Sequence, residues 1–223
     1  MMIFDIFGVL IASLLVFPIA GARDVFPIVF NAVLCVALGV LFGMVVTAWV
    51  GSYFELYGPT HLFSLALSEE ISRFLGVYLL FKTFPENRES FFRRLIAFGL
   101  CFGLLEYCFK LWTLYDVNYP CALAEITSDC IRTQAYTNLV LVSSVFLHVV
   151  LSAGYVDFYK HSTKGWALFL VLCTASIHGS LNTLSADTAG GAFPIRHFPT
   201  FQILFICFYI VLIVLIWRRE ISR

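Results

Sequence analysis

The stretch LALSEEISRFLGVYLLF, residues 65 to 81, constrains this chain more than any other. It sets two adjacent carboxylates, Glu69 and Glu70, and then Arg73 into a run that is otherwise apolar. An ionisable side chain in such surroundings is costly unless it is paired or wetted. The partners must therefore come from other segments, and the rest of the sequence is read for them.

The surroundings are apolar throughout. Hydrophobic residues make up 61% of the 223 and charged residues 13%, against about 25% charged in an ordinary soluble domain. With a mean hydropathy of +0.91, the composition predicts an all-α polytopic membrane protein forming a single transmembrane domain over residues 1–223. Spans are expected at about residues 3–20, 25–50, 61–81, 95–114, 138–158, 165–185 and 200–217, seven in all. The N-terminal apolar run lacks a basic leader and reads as a first span rather than a signal peptide. Within the second span, Gly39 and Gly43 stand four apart, a spacing suited to close helix packing.

Loop charges suggest an orientation. The loop KTFPENRESFFRR holds Lys82, Arg88, Arg93 and Arg94 against two acids. A later loop holds Lys160 and Lys164, and the chain ends RREISR. Basic loops face the cytoplasm, which puts the N-terminus outside, the C-terminus inside, and the protein in the plasma membrane with the lipid bilayer around it. The net charge of zero gives no reason to expect a nucleic-acid partner. Of the seven cysteines, Cys121 and Cys130 lie in a polar loop and could bridge in an oxidising compartment. The other cysteines read as small buried side chains.

Depth orders the polar residues. Glu70, Glu106, His148 and His178 each fall roughly 15 to 20 Å from the cytoplasmic side at 1.5 Å rise per residue. Four consecutive helices thus offer a carboxylate or an imidazole at one level. Glu69 and Arg73 are four apart and share a face, as do His178 and Asn182. Glu70 points about 100° away from Glu69, so one acid can line a centre while the other braces Arg73. His61, at a span end, and His161, in a basic loop, are expected to be solvated.

Two chemistries suit such a set. Carboxylates and histidines can hold zinc and activate a bound water. Without metal, Glu70 can deprotonate water while a histidine orients it and His178 with Asn182 stabilises the oxyanion. Either route leads to amide hydrolysis. The blander reading is a buried hydrogen-bonded network that ties helices together, and such a network could also pass ions or protons.

The residues EEISR at 69–73, FGLLE at 102–106, His148 alone in its segment and HGSLN at 178–182 resemble the motifs of PrsW-type intramembrane metalloproteases. That family stands in a wider group with the CAAX-prenyl endopeptidases, the bacteriocin-processing proteases and the Aph-1 subunit of gamma-secretase. The likeness covers about residues 60–185, the expected catalytic core. It implies that Glu69 and Glu70 form the catalytic pair with Asn182, that Glu106, His148 and His178 hold zinc, and that Arg73 is a structural partner. Arg73 stands where PrsW-type proteins usually have lysine, and Asn182 fits the prenyl-protease pattern better. The implied function is endopeptidase cleavage of a membrane-anchored protein or peptide by a zinc- or glutamate-activated water. The alternative is an Aph-1-like scaffold without catalysis; retention of Glu69, Glu70 and Glu106 favours the enzyme.

Overall fold

A computed structural model describes residues 14, 17–19, 21–54, 58–83, 88–117, 142–159, 163–189 and 198–221. Among them lie six long helices: α1 (Ala22–Val50), α2 (Pro59–Thr83), α3 (Arg88–Val117), α4 (142–154), α5 (Lys164–Ala189) and α6 (Phe198–Ile221). A 3-10 turn, Tyr155–Tyr159, continues α4. Local chemistry sets several of their ends. Gly21 precedes α1 with φ +83°, a conformation that costs glycine least. Pro59 opens α2 at the position where a missing N–H is harmless. Cys121 and Cys130 lie outside the described residues.

α2 is the central element, packed on α1 along one side and α5 along another. The α1–α2 pair is antiparallel. Gly39 lies against Glu69, Gly43 against Leu65, and Thr47 against His61, whose Nε2 is 3.2 Å from the threonine hydroxyl. His61 is 2% exposed, so the sequence expectation of a solvated histidine is corrected. α3 packs beside α1, and a buried ion pair from Arg94 Nε to Asp24 Oδ2, 2.7 Å, ties the two. Arg94, counted above among loop charges, is therefore an interior residue of α3.

The core gathers around α3. Phe91, Phe92, Leu95, Phe98 and Phe102 are buried with Ile28 and Cys35 of α1 and Val77 and Leu80 of α2. Phe81 and Phe158 meet edge to face, with ring centroids 5.4 Å apart, in a geometry aromatic pairs prefer. α4 lies almost on the backbone of α3. A Cβ at Gly99 would come within 2.7 Å of His148 O, and one at Gly103 within 2.9 Å of Val145 Cα. Glycine is the residue that permits this approach, and the approach is what carries His148 into the interior.

The seven-span expectation does not hold. Among the described residues two helical segments, Arg23–Val50 and Lys164–Asn182, are long and apolar enough to cross a membrane. The reason lies in α2 and α3, whose acids and bases interrupt the apolar run and pair with one another inside the bundle. The described part of the apolar segment at 142–158 is shorter than such a crossing requires. With seven spans go the outside N-terminus, the cytoplasmic C-terminus, the plasma-membrane location and the bilayer as partner. Large apolar side chains nevertheless remain exposed on α1, α5 and α6, among them Met44, Leu168 and Val211.

Candidate functional site

Three residues of α2 begin the site. Glu70 and Arg73 are fully buried, while the Glu69 side chain keeps 22% exposure. Arg73 Nη1 donates to Glu70 Oε1, three residues back. The sequence spacing paired Arg73 with Glu69; the structure pairs it with Glu70, because the turn that faces the interior carries both.

Arg73 Nη2 meets Nδ1 of His148. A guanidinium has donors only, so this Nδ1 is an acceptor and the neutral ring carries its proton on Nε2. That nitrogen faces Glu106 Oε2 and lies 3.1 Å from Ser144 Oγ. His178 lies between two carboxylates: its Nδ1 donates to Glu70 Oε1 over 3.0 Å, and its Nε2 faces Glu69 Oε2 at 3.5 Å. The two imidazoles meet at right angles, centroids 5.3 Å apart.

The contacts form one continuous chain: Glu69, His178, Glu70, Arg73, His148, Glu106. Tyr155, at the head of the 3-10 turn, adds a branch. Its hydroxyl donates to Glu70 Oε2 at 3.4 Å and lies 2.9 Å from Thr174 Oγ1 of α5. The Phe102 ring covers the guanidinium, 4.7 Å from its carbon to the ring centroid, a favourable cation–π contact. Four helices and the 3-10 turn contribute hydrogen-bonding groups, so the chain of contacts also ties the helices together. Asn182 is half-buried, and no contact among the described residues joins it to this chain.

Burial and charge set the protonation states. Burial acts to raise the Glu70 carboxyl, but the Arg73 guanidinium, helped by His178, overrides it and holds the group at about 2. Burial pushes His148 down to about 4; Glu106 opposes that, and the nearby Arg73 charge adds to it. Burial raises the Tyr155 hydroxyl, and the Glu70 charge raises it further. Near neutral pH the centre thus holds an ionised Glu70, a neutral His148 and a protonated phenol.

These states bear on zinc. His148 has no lone pair to spare, since one nitrogen accepts from Arg73 and the other carries a proton toward Glu106. A permanent cation stands in the middle of the set. Among the described residues, no group of three or more histidine, cysteine, aspartate or glutamate side chains could hold a metal ion. The zinc site expected from Glu106, His148 and His178 is therefore corrected. The endopeptidase reading falls with the metal, and the glutamate-activated route fares no better. A carboxyl held near 2 and engaged by Arg73, His178 and Tyr155 is a weak general base.

Both ends of the chain of contacts open onto one cavity of about 510 Å³. One face of α1, from Val36 through Gly39 and Gly43 to Thr47, forms a wall. Glu69 enters from α2, and Phe102, Glu106 and Phe109 enter from α3. The volume falls within the range of small-molecule sites, and so does the pattern of an apolar lining with a few placed polar groups. His178 Nε2 lies 3.5 Å from Glu69 Oε2 and finds no hydrogen bond among the described residues. Sequence reasoning missed Tyr155, Thr174 and Ser144, whose hydroxyls are ordinary in an apolar helix until the packing shows what they face.

No family model matches the chain, and neither does any curated protein or solved structure. The resemblance to PrsW-type and CAAX-prenyl proteases is not sustained, and the membrane-anchored substrate it implied goes with it. The Aph-1-like scaffold rested on the same likeness and is likewise set aside.

Proposed function

We propose that this chain is a binding protein for a small amphipathic ammonium ion. The ligand's charged head sits between Glu69 and Glu106, and its apolar part lies against α1. The observation that carries the reading is a cavity of largely apolar lining into which two carboxylates, Glu69 of α2 and Glu106 of α3, enter. Such a lining suits a ligand with a charged head and an apolar part. An ammonium group supplies N–H donors to both carboxylates and a charge that suits them. A neutral alcohol would bring one donor and no charge. Charge-assisted hydrogen bonds of this kind are each worth about 1.5–3 kcal/mol. Glu70, Arg73 and His148 act behind the cavity as positioning residues that hold His178 and Glu106 in place.

The test is calorimetric titration with n-hexylammonium and, in parallel, n-hexanol. Binding of the amine with at least tenfold preference over the alcohol is expected, and Glu69→Gln should reduce amine affinity about tenfold, near 1.4 kcal/mol. Equal binding of amine and alcohol, or no binding of either, would sink the proposal.

A further inference from the structure

The cavity is long, and its two ends differ. The α1 residues that line it recur at intervals of three and four from Val36 to Ala48, so they occupy one face of the helix for about 18 Å. The antiparallel register with α2 assigns each level a partner. Near Gly39 stands Glu69, which lines the cavity; near Gly43 stands Leu65 of α2; and Thr47, toward the far end of the lining, carries a hydroxyl 3.2 Å from His61. Charge stands at one end, an apolar stretch in the middle, and an uncharged hydroxyl at the other end.

The two glycines play different parts. A Cβ on Gly39 would come within 3.0 Å of Ser72 Oγ and 3.9 Å of the Glu69 backbone, so glycine there serves the close approach of α1 and α2. A Cβ on Gly43 would meet Leu65 Cδ2 at 3.6 Å, an ordinary contact. Packing between the helices would therefore accept a methyl group at Gly43. Gly43 lines the cavity, so a longer side chain there would intrude on the space beside it.

We infer that the ligand class is a single-chain amphiphile, a primary ammonium bearing one unbranched alkyl chain that runs along α1 from Gly39 past Gly43 toward Thr47. This rests on the ammonium reading above and adds the shape of the ligand to it. The charged head lies at the Glu69 and Glu106 end of the cavity. The chain covers about 12 Å between Gly39 and Thr47. An unbranched chain matches a lining that follows one face of α1 for about 18 Å.

The experiment titrates n-butyl-, n-octyl- and n-dodecylammonium into the wild-type protein and into Gly43→Leu, with Gly43→Ala as the milder variant should the first not fold. For the wild type, affinity should rise about fourfold per methylene from butyl to octyl and gain less per methylene from octyl to dodecyl, once the chain passes Thr47. Gly43→Leu should cost octylammonium at least tenfold more than it costs butylammonium, and Gly43→Ala should shift the same ratio in the same sense. Butyl and octyl binding that are equal in strength, or equally reduced by the Gly43 substitutions, would overturn the chain-length inference while leaving the ammonium site standing. Failure of every amine to bind would remove both.

Discussion

Two buried arginine–carboxylate pairs among the described residues tie this bundle, and they differ in what surrounds them. Asp24 and Arg94 join α1 to α3 across 2.7 Å with side chains 10% and 5% exposed. Glu70 and Arg73 are fully buried on a single helix, yet their remaining valences pass to His178, His148 and Tyr155 on other helices. From there they reach two acids on the wall of a cavity. The first pair is a fastening. The second is a hub, and a hub costs more to remove because each neighbour loses a partner with it.

That contrast can be broken most directly at Arg73. Arg73→Met should destabilise the protein by about 3–5 kcal/mol, read as a shift in the denaturant midpoint, because Glu70 would stay buried without its guanidinium and His148 Nδ1 without its donor. A loss under 1 kcal/mol would make the hub no more than a fastening.

Acid should act on the hub next. His148 titrates near 4 in the folded chain against 6.5 in the unfolded chain, and Glu70 near 2 against 4.5. In both cases the unfolded state binds more protons as pH falls, so stability declines on acidification. The His148 contribution is complete above pH 6.5 and is lost between 6.5 and 4; that of Glu70 is complete above 4.5 and is lost between 4.5 and 2. Melting temperatures recorded from pH 8 to 3.5 should fall in that window, and the decline between 6.5 and 4 should shrink in His148→Gln. A flat profile would contradict the buried neutral histidine.

The smallest effect is expected at the fastening. Replacing both partners, Asp24→Leu with Arg94→Met, should change stability by less than about 1 kcal/mol, since a buried pair exchanged for apolar side chains of similar size is often neutral or stabilising. The matching double change at the hub, Glu70→Leu with Arg73→Met, should remain clearly destabilised because His148, His178 and Tyr155 keep their polar groups and lose their partners. Equal outcomes for the two doubles, measured by denaturant titration, would erase the distinction.

Much of the helical layout was legible in the sequence. The apolar segments at about 25–50, 61–81, 95–114 and 165–185 coincide with α1, α2, α3 and α5 to within a few residues, because long apolar runs bounded by glycine, proline and charge have few other ways to satisfy their backbone. What such runs lie against was not legible. Hydropathy measures how apolar a segment is and cannot separate a helix buried among other helices from one that crosses a membrane, which is why seven spans were expected where two described segments qualify. Arg94 shows the same limit at one residue: adjacent to a basic loop in sequence, it is 4% exposed in the fold.

The site divides in the same way. Residue identities and helical spacing were enough to single out Glu69, Glu70, Arg73, Glu106, His148 and His178 as groups that had to meet partners, since none is tolerable alone in an apolar interior. Which nitrogen faces which oxygen could not be read from spacing. That was decided by α4 settling on Gly99 and Gly103 of α3, which delivers His148 to Arg73, and by the turn after α4, which delivers the Tyr155 hydroxyl to Glu70. The same packing commits both nitrogens of His148 and so removes it as a metal ligand, and it leaves Glu69 and Glu106 on the wall of a cavity. Sequence determines which groups must be paired because desolvation depends on the group itself; tertiary structure decides the pairs because hydrogen bonds depend on direction over a few ångströms.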